Sequence, residues 1–318
     1  MQQPNGNGTS PGARRKTKVF AIVNRKGGVA KTTTAINLAH GLSRKLLYKV
    51  KPEDVERVPD RNRLYLYHDQ YYYIHGHVLL VDLDPQGQCV HGLGLEPGEA
   101  DLGQLLLGNQ TLSKAIIPAD RAEHGYPRPN LWVIPSSDKL ETAKVELMIR
   151  MLSPQAIKEG NGHDRLQDLL EERLGLALHH FNYIILDCPP SLDIFARAVY
   201  QFADAAIVPV KPDYLSMTGM SQHMANINEA QLRGIDIQIH SIVPTFFVGR
   251  QRLDRQMVTA LQDTHGERVC SPVPRSQMVA EAPAHHQTLF EFDPRFRNNA
   301  TVAYQQLVNK VYHEQLQA

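Results

Sequence analysis

Mostly apolar runs recur along the chain at Val19–Val23, Val78–Val81, Leu131–Ile134, Phe181–Leu186, Ala205–Val210 and Ile237–Val243. They are continuous rather than alternating, as strands buried on both faces are. Between them lie stretches with apolar positions at helical spacing: about 31–44, 102–107, 137–152, 164–178, 214–233 and 299–316. Ser136 and Ser137 offer a cap for the third, with Glu141 downstream. Strands alternating with helices predict an α/β domain, a mostly parallel twisted sheet with helices on both faces. Residues 153–162 break the pattern, and residues 1–16 are polar and glycine-rich, so a disordered tail is expected there. One stretch departs from the rhythm. Residues 45–77 hold many charges and six tyrosines. Arg63–Tyr67 and Tyr71–Ile74 have strand composition around His68-Asp69-Gln70, which predicts an inserted hairpin preceded by a loop.

The first apolar run leads into Asn24-Arg25-Lys26-Gly27-Gly28-Val29-Ala30-Lys31-Thr32-Thr33-Thr34, and a helical pattern follows directly. Glycines in a strand-to-helix turn let backbone N–H groups approach an anion, and the helix start adds unpaired donors and positive dipole. Lys31 is placed to reach outer phosphates and the Thr32 hydroxyl to bind Mg²⁺. The ordinary phosphate-binding pattern has glycine before Lys-Thr. Here Ala30 stands there, and Arg25 occupies the first glycine's place. If that position needs a positive φ, the loop must accommodate an alanine.

Two further apolar runs end in carboxylates, at Asp82-Leu83-Asp84-Pro85-Gln86 and at Asp187-Cys188-Pro189-Pro190. Acidic residues at strand carboxyl ends sit where open α/β sheets bind ligands. Alternation along a strand predicts Asp82 and Asp84 on one face. Asp187 fits a carboxylate that holds Mg²⁺ directly or through water.

These three signatures, with lysine, two glycines, two free positions and Lys-Thr in the first, resemble the ParA/MinD superfamily of deviant Walker A P-loop ATPases, and within it the Soj-like ParA partition and positioning proteins. The resemblance covers residues 17 to 316 apart from the tyrosine-rich insertion. It implies ATP and Mg²⁺ as cofactors, with residues Lys26, Gly27, Gly28, Val29, Ala30, Lys31, Thr32 and Thr33 on the nucleotide. It implies Thr32, Asp82 and Asp187 around the metal, and Asp84 orienting or deprotonating the attacking water. Lys26 would contact phosphate across a homodimer with ATP sandwiched between subunits. It further implies non-specific DNA binding, a ParB-like or other adaptor that stimulates hydrolysis, and a cytoplasmic, nucleoid-associated protein that segregates DNA or positions another cargo.

Composition narrows the field. The chain has 318 residues, 42% hydrophobic and 21% charged, with a formal net charge of +1. DNA or lipid contact must therefore come from a local patch. Arg14, Arg15, Lys16 and Lys18 form one such cluster, which reads equally as part of a solubilising tail. Arg250, Arg252 and Arg275 are the candidate DNA contacts; Met278 stands where the family places a second arginine, and Arg295 and Arg297 lie near enough to compensate. Three widely spaced cysteines argue against a disulfide framework or a zinc site, and Cys188 reads as a packing residue. No apolar run approaches a membrane span. A MinD-like membrane-cycling regulator needs a basic amphipathic tail, which Tyr312–Ala318 is not. A P-loop tyrosine kinase is the other alternative, suggested by the tyrosines and opposed by their internal position. Paired cysteine ligands, as in a nitrogenase-reductase-like carrier, are not evident. Only a short tail precedes the loop, so an operator-binding domain is not expected.

Overall fold

A computed structural model describes residues 17–151, 168–191, 195–213, 227–232 and 234–317. The expected tail and the break at 153–162 lie outside them, as does most of the expected helix over 214–233. The strands are β1 (Lys18–Ile22), β2 (Leu47–Val50), β3 (Leu64–Tyr67), β4 (Gln70–Ile74), β5 (Val78–Asp82), β6 (Ile117–Pro118), β7 (Leu131–Ile134), β8 (Tyr183–Asp187), β9 (Ala205–Val210) and β10 (Gln238–Pro244).

Seven of them form one sheet in the order β10-β9-β1-β8-β5-β7-β6, parallel except where β6 pairs antiparallel with β7. Alternate residues feed two core layers. Val19, Ala21, Leu79, Val81, Ile184 and Leu186 pack on one side; Phe20, Ile22, Leu80 and Ile185 pack on the other with helix α1 (Lys31–Lys45) and the last helix, Asn299–Gln317. This two-sided burial is what made the strand sequences continuous rather than alternating. Helix α1 is buried almost throughout because it lies between the sheet and that last helix. Gly41 allows the close approach: a Cβ there would collide with Val308 and Phe290.

The register does the work that matters for the site. Asp82 at the end of β5 is the direct partner of Asp187 at the end of β8, and Asp187 also pairs with Ile22 at the end of β1. The glycine loop leaves from the same end of the sheet.

The tyrosine-rich insertion is a separate antiparallel sheet in the order β2-β4-β3. The expected hairpin is present, with a two-residue turn at His68 (φ 45°) and Asp69 (φ 59°), the doubly positive φ that matches strand twist. The expected preceding loop is partly a strand, β2, because Leu47–Val50 pairs with Tyr71–Ile74. Tyr65 donates to Asp120 (3.1 Å), and the Tyr48 and Tyr312 hydroxyls meet at 3.2 Å, which fastens the small sheet to the body. Among the described residues no helix is long and apolar enough to cross a membrane.

Candidate nucleotide-binding site

The loop between β1 and α1 is held from both sides. Asn24 Nδ2 donates to the Pro209 carbonyl (2.7 Å) and its Oδ1 accepts from the Lys26 amide (2.9 Å). Thr245 donates to the Val29 carbonyl (3.1 Å). Gly28 has φ 68° and Ala30 has φ 66°. The alanine therefore occupies a left-handed conformation at the N-cap of α1. An L-residue with a Cβ is strained there by about 1–2 kcal/mol. Ala30→Gly is accordingly expected to stabilise the protein by about 1 kcal/mol, the reverse of the usual glycine effect. Calorimetry checks this; a lowered melting temperature would mean that the alanine methyl group earns its place by packing.

Lys31 is buried and donates to the Lys26 carbonyl (3.0 Å), so its ammonium already lies over the loop. Burial pushes its pKa down, and the charges of Asp187 and Asp84 pull the other way. Asp82 and Asp187 are both fully buried. Burial raises both carboxyls, and the Asp187 charge raises Asp82 further. The Thr32 hydroxyl lies beside the Asp187 carboxylate and steadies its charge, yet Asp187 Oδ1 meets no donor at full hydrogen-bonding geometry. Two buried carboxylates, one with an orphan oxygen, and a hydroxyl form the oxygen-rich donor set that suits a hard divalent cation.

Asp82 Oδ1 accepts from the Asp84 amide (3.0 Å) and Oδ2 from the Cys89 amide (3.0 Å). That first bond turns the chain, so β5 stops at Asp82 and Asp84 lies in the following loop. The expected alternation on one strand face therefore does not apply. Asp84 stays half-buried, its Oδ1 accepting from the Gln86 amide (3.0 Å). Cys188 is buried, with its thiol directed to the Leu186 carbonyl (3.7 Å), as a packing residue should be.

Lys26 is engaged by a carboxylate other than Asp82, Asp84 and Asp187. Its ammonium pairs with Asp213, after β9, at 2.9 and 3.2 Å. Lys211 also reaches Asp213 (3.4 Å). Sequence reading did not single out Asp213, which lies 187 positions from Lys26, and nothing local to either residue signals the pair.

The three candidate DNA-contacting arginines are all exposed, and the Arg275 amide donates to the Phe247 carbonyl (2.9 Å), three residues before Arg250. Arg250 is exposed in the turn before the helix Arg252–His265, which Arg252 opens, also exposed. Arg255 shares this edge and donates to the Gly249 carbonyl (3.1 Å). Arg275 also lines two cavities beside the phosphate loop. One, of about 490 Å³, includes Ala30, Thr33, Thr245 and Tyr304; the other, of about 430 Å³, includes Gly28, Lys211, Asp213 and Phe246.

Strand, glycine-bearing loop, buried lysine and two facing aspartates at one end of a parallel sheet define a P-loop nucleoside-triphosphatase fold. A family model described as an AAA domain matches residues 17–56 and 74–240; the gap, 57–73, falls within the added sheet. The chain is 30% identical over 285 residues to the sporulation initiation inhibitor protein Soj of Bacillus subtilis, covering 88% of this chain and 93% of that protein. It is 30% identical over 282 residues to the chromosome partitioning protein ParA of Caulobacter vibrioides, covering 87% of each. A structure of cobyrinic acid a,c-diamide synthase from Mycobacterium smegmatis with bound ADP and magnesium shares the fold, with TM-score 0.65 and 22% identity over 94% of this chain and 95% of that one. The chain belongs to the ParA/MinD superfamily of deviant Walker A P-loop ATPases, close to ParA and Soj.

Proposed function

We propose that this chain hydrolyses ATP with Mg²⁺, dimerises around ATP, and in that state binds DNA without sequence preference. An adaptor protein stimulates hydrolysis and ends the cycle, which moves or positions DNA or another cargo over the nucleoid in the cytoplasm. The observation that carries the reading is the meeting of Lys31, Thr32, Asp82 and Asp187 at the end of the sheet from which the glycine loop departs. The partition role is supported by the names of the relatives.

Phosphoryl transfer is mainly positioning and charge neutralisation. The amides from Gly27 to Thr33 and the Lys31 ammonium hold the phosphates; Lys31 exchanges its present carbonyl acceptor for a phosphate oxygen. Thr32, Asp187 and Asp82 hold Mg²⁺, which when bound neutralises charge on the phosphates. Asp84, in the loop just beyond β5, orients the attacking water and accepts its proton. Lys26 leaves Asp213 to reach the nucleotide of a second subunit. Arg250, Arg252 and Arg275, with Arg255 beside them, form the edge facing the phosphate backbone.

Such an edge gives salt-dependent binding. Arg250→Ala is expected to weaken DNA retention several-fold in the presence of ATP, to lower the salt slope by about one per arginine removed, and to leave ATP binding unchanged. Fluorescence anisotropy of a labelled duplex over a salt series tests this. DNA affinity equal to that of the parent, or no DNA binding by the parent, sinks the partition reading.

A further inference from the structure

One residue in the carboxylate pocket has no part in the phosphate chemistry. Cys89 opens the short helix Gln88–Leu93, and its amide is tied to Asp82. Its thiol donates to Asp187 Oδ2 at 3.4 Å. One ligand atom each from Asp82, Cys89 and Asp187 fall within 4.8 Å of one another, and all three residues are completely buried. Among the described residues they are the one such cluster of potential metal ligands. Asp187 Oδ1, equally buried, has no hydrogen-bond donor.

We propose that Cys89 makes this pocket a thiophilic metal site, which in the nucleotide-free protein takes Zn²⁺ in preference to Mg²⁺. Zinc bonds of about 2.1 Å to oxygen and 2.3 Å to sulfur in a tetrahedron place oxygen and sulfur roughly 3.6 Å apart. The 3.4 Å separation of Cys89 Sγ and Asp187 Oδ2 is already close to that edge. Magnesium needs an octahedron of oxygens near 2.1 Å and keeps several waters, so the sulfur adds nothing to its binding. Thiolate favours zinc and similar ions, whereas carboxylate and water favour magnesium. On binding, the Sγ–H bond breaks, the Sγ–Zn bond forms and the proton leaves to solvent; no electrons are exchanged. The Thr32 hydroxyl or a water completes the tetrahedron. An ion so held occupies the carboxylates that a magnesium–nucleotide complex requires, and Zn²⁺ therefore competes with it. The inference rests on the reading of Asp82 and Asp187 as the cation site.

The test is a Co²⁺ titration of the full, nucleotide-free, reduced chain, followed by displacement. The wild type is expected to show a near-ultraviolet thiolate-to-cobalt charge-transfer band and intense tetrahedral visible bands at one ion per chain. Zn²⁺ should abolish them and millimolar Mg²⁺ should not. Cys89→Ser should lose the charge-transfer band and weaken Zn²⁺ binding tenfold or more, while Cys188→Ala and Cys270→Ala keep both. Cys89→Ala replaces the serine variant if the latter does not fold. No band in the wild type, or a band that survives removal of the Cys89 sulfur or disappears with either other cysteine, overturns the proposal. Binding of a fluorescent ATP analogue by the same preparation separates the two readings. A cobalt band without nucleotide binding leaves this site standing and removes the ATPase; nucleotide binding without a band does the reverse.

Discussion

Lys31→Ala is expected to lower ATP turnover by about two to three orders of magnitude, as removal of one preorganised donor to developing charge commonly does. The side chain is buried above the loop, with a single carbonyl as its present acceptor and Asp187 and Asp84 as its charged neighbours. Its desolvation cost offsets much of that attraction, so the melting temperature of the nucleotide-free protein should change little. Lys31→Arg should fail as well, because a planar guanidinium does not fit where one ammonium crosses the loop. Turnover by phosphate release, together with calorimetry, checks both halves. Turnover within tenfold of the parent would take Lys31 out of the chemistry.

Arg128→Ala is expected to destabilise the protein by about 3–5 kcal/mol, the cost of leaving a buried charge without its partner. The Arg128 side chain is fully buried. Its Nε and Nη2 donate to the two oxygens of Glu291 at 2.8 and 2.9 Å, and it also donates to the Leu93 and His286 carbonyls at 2.9 Å each. Burial alone would raise the Glu291 carboxyl; His40 and Arg128 hold it down at about 2. Burial pushes His40 down to about 3, so at neutral pH the charges facing Glu291 are those of Arg128, bonded to it directly, and of Arg44 nearby. The network joins α1, the helix after Asp82 and the segment before the last helix, all behind the phosphate loop. Replacing both partners with apolar residues, Arg128→Met with Glu291→Met, should recover much of the loss. Denaturant unfolding reads both effects. A single variant as stable as the parent would show that the four hydrogen bonds contribute nothing net.

Much of the site was legible because its parts announce themselves locally. A buried strand reads as an apolar run, and the carboxylate that ends it stands out, as at Asp82 and Asp187. The loop could be read from Gly27, Gly28 and Lys31 for the same reason. What escaped was long-range or conformational. Arg128 sits between prolines in a polar segment, and its partner lies 163 positions away. The Lys26–Asp213 pair is equally remote in sequence. Asp84 was misplaced on the strand because the bond from its own amide to Asp82 ends β5 early. Strand β2 carries no strand signal because Tyr48 and Lys49 are exposed, Leu47 and Val50 are only half-buried, and the four do not alternate.

We propose that ATP switches this chain between monomer and dimer through Lys26, whose ammonium pairs with Asp213 within the chain. The most direct measurement is the mass in solution, by light scattering, of an Asp84→Ala protein with ATP and Mg²⁺, with ADP and Mg²⁺, and with Lys26→Ala added. A dimer with ATP, a monomer with ADP, and a monomer in both once Lys26 is removed is the predicted result. One mass under all three conditions, or a full ATP dimer without Lys26, would contradict it.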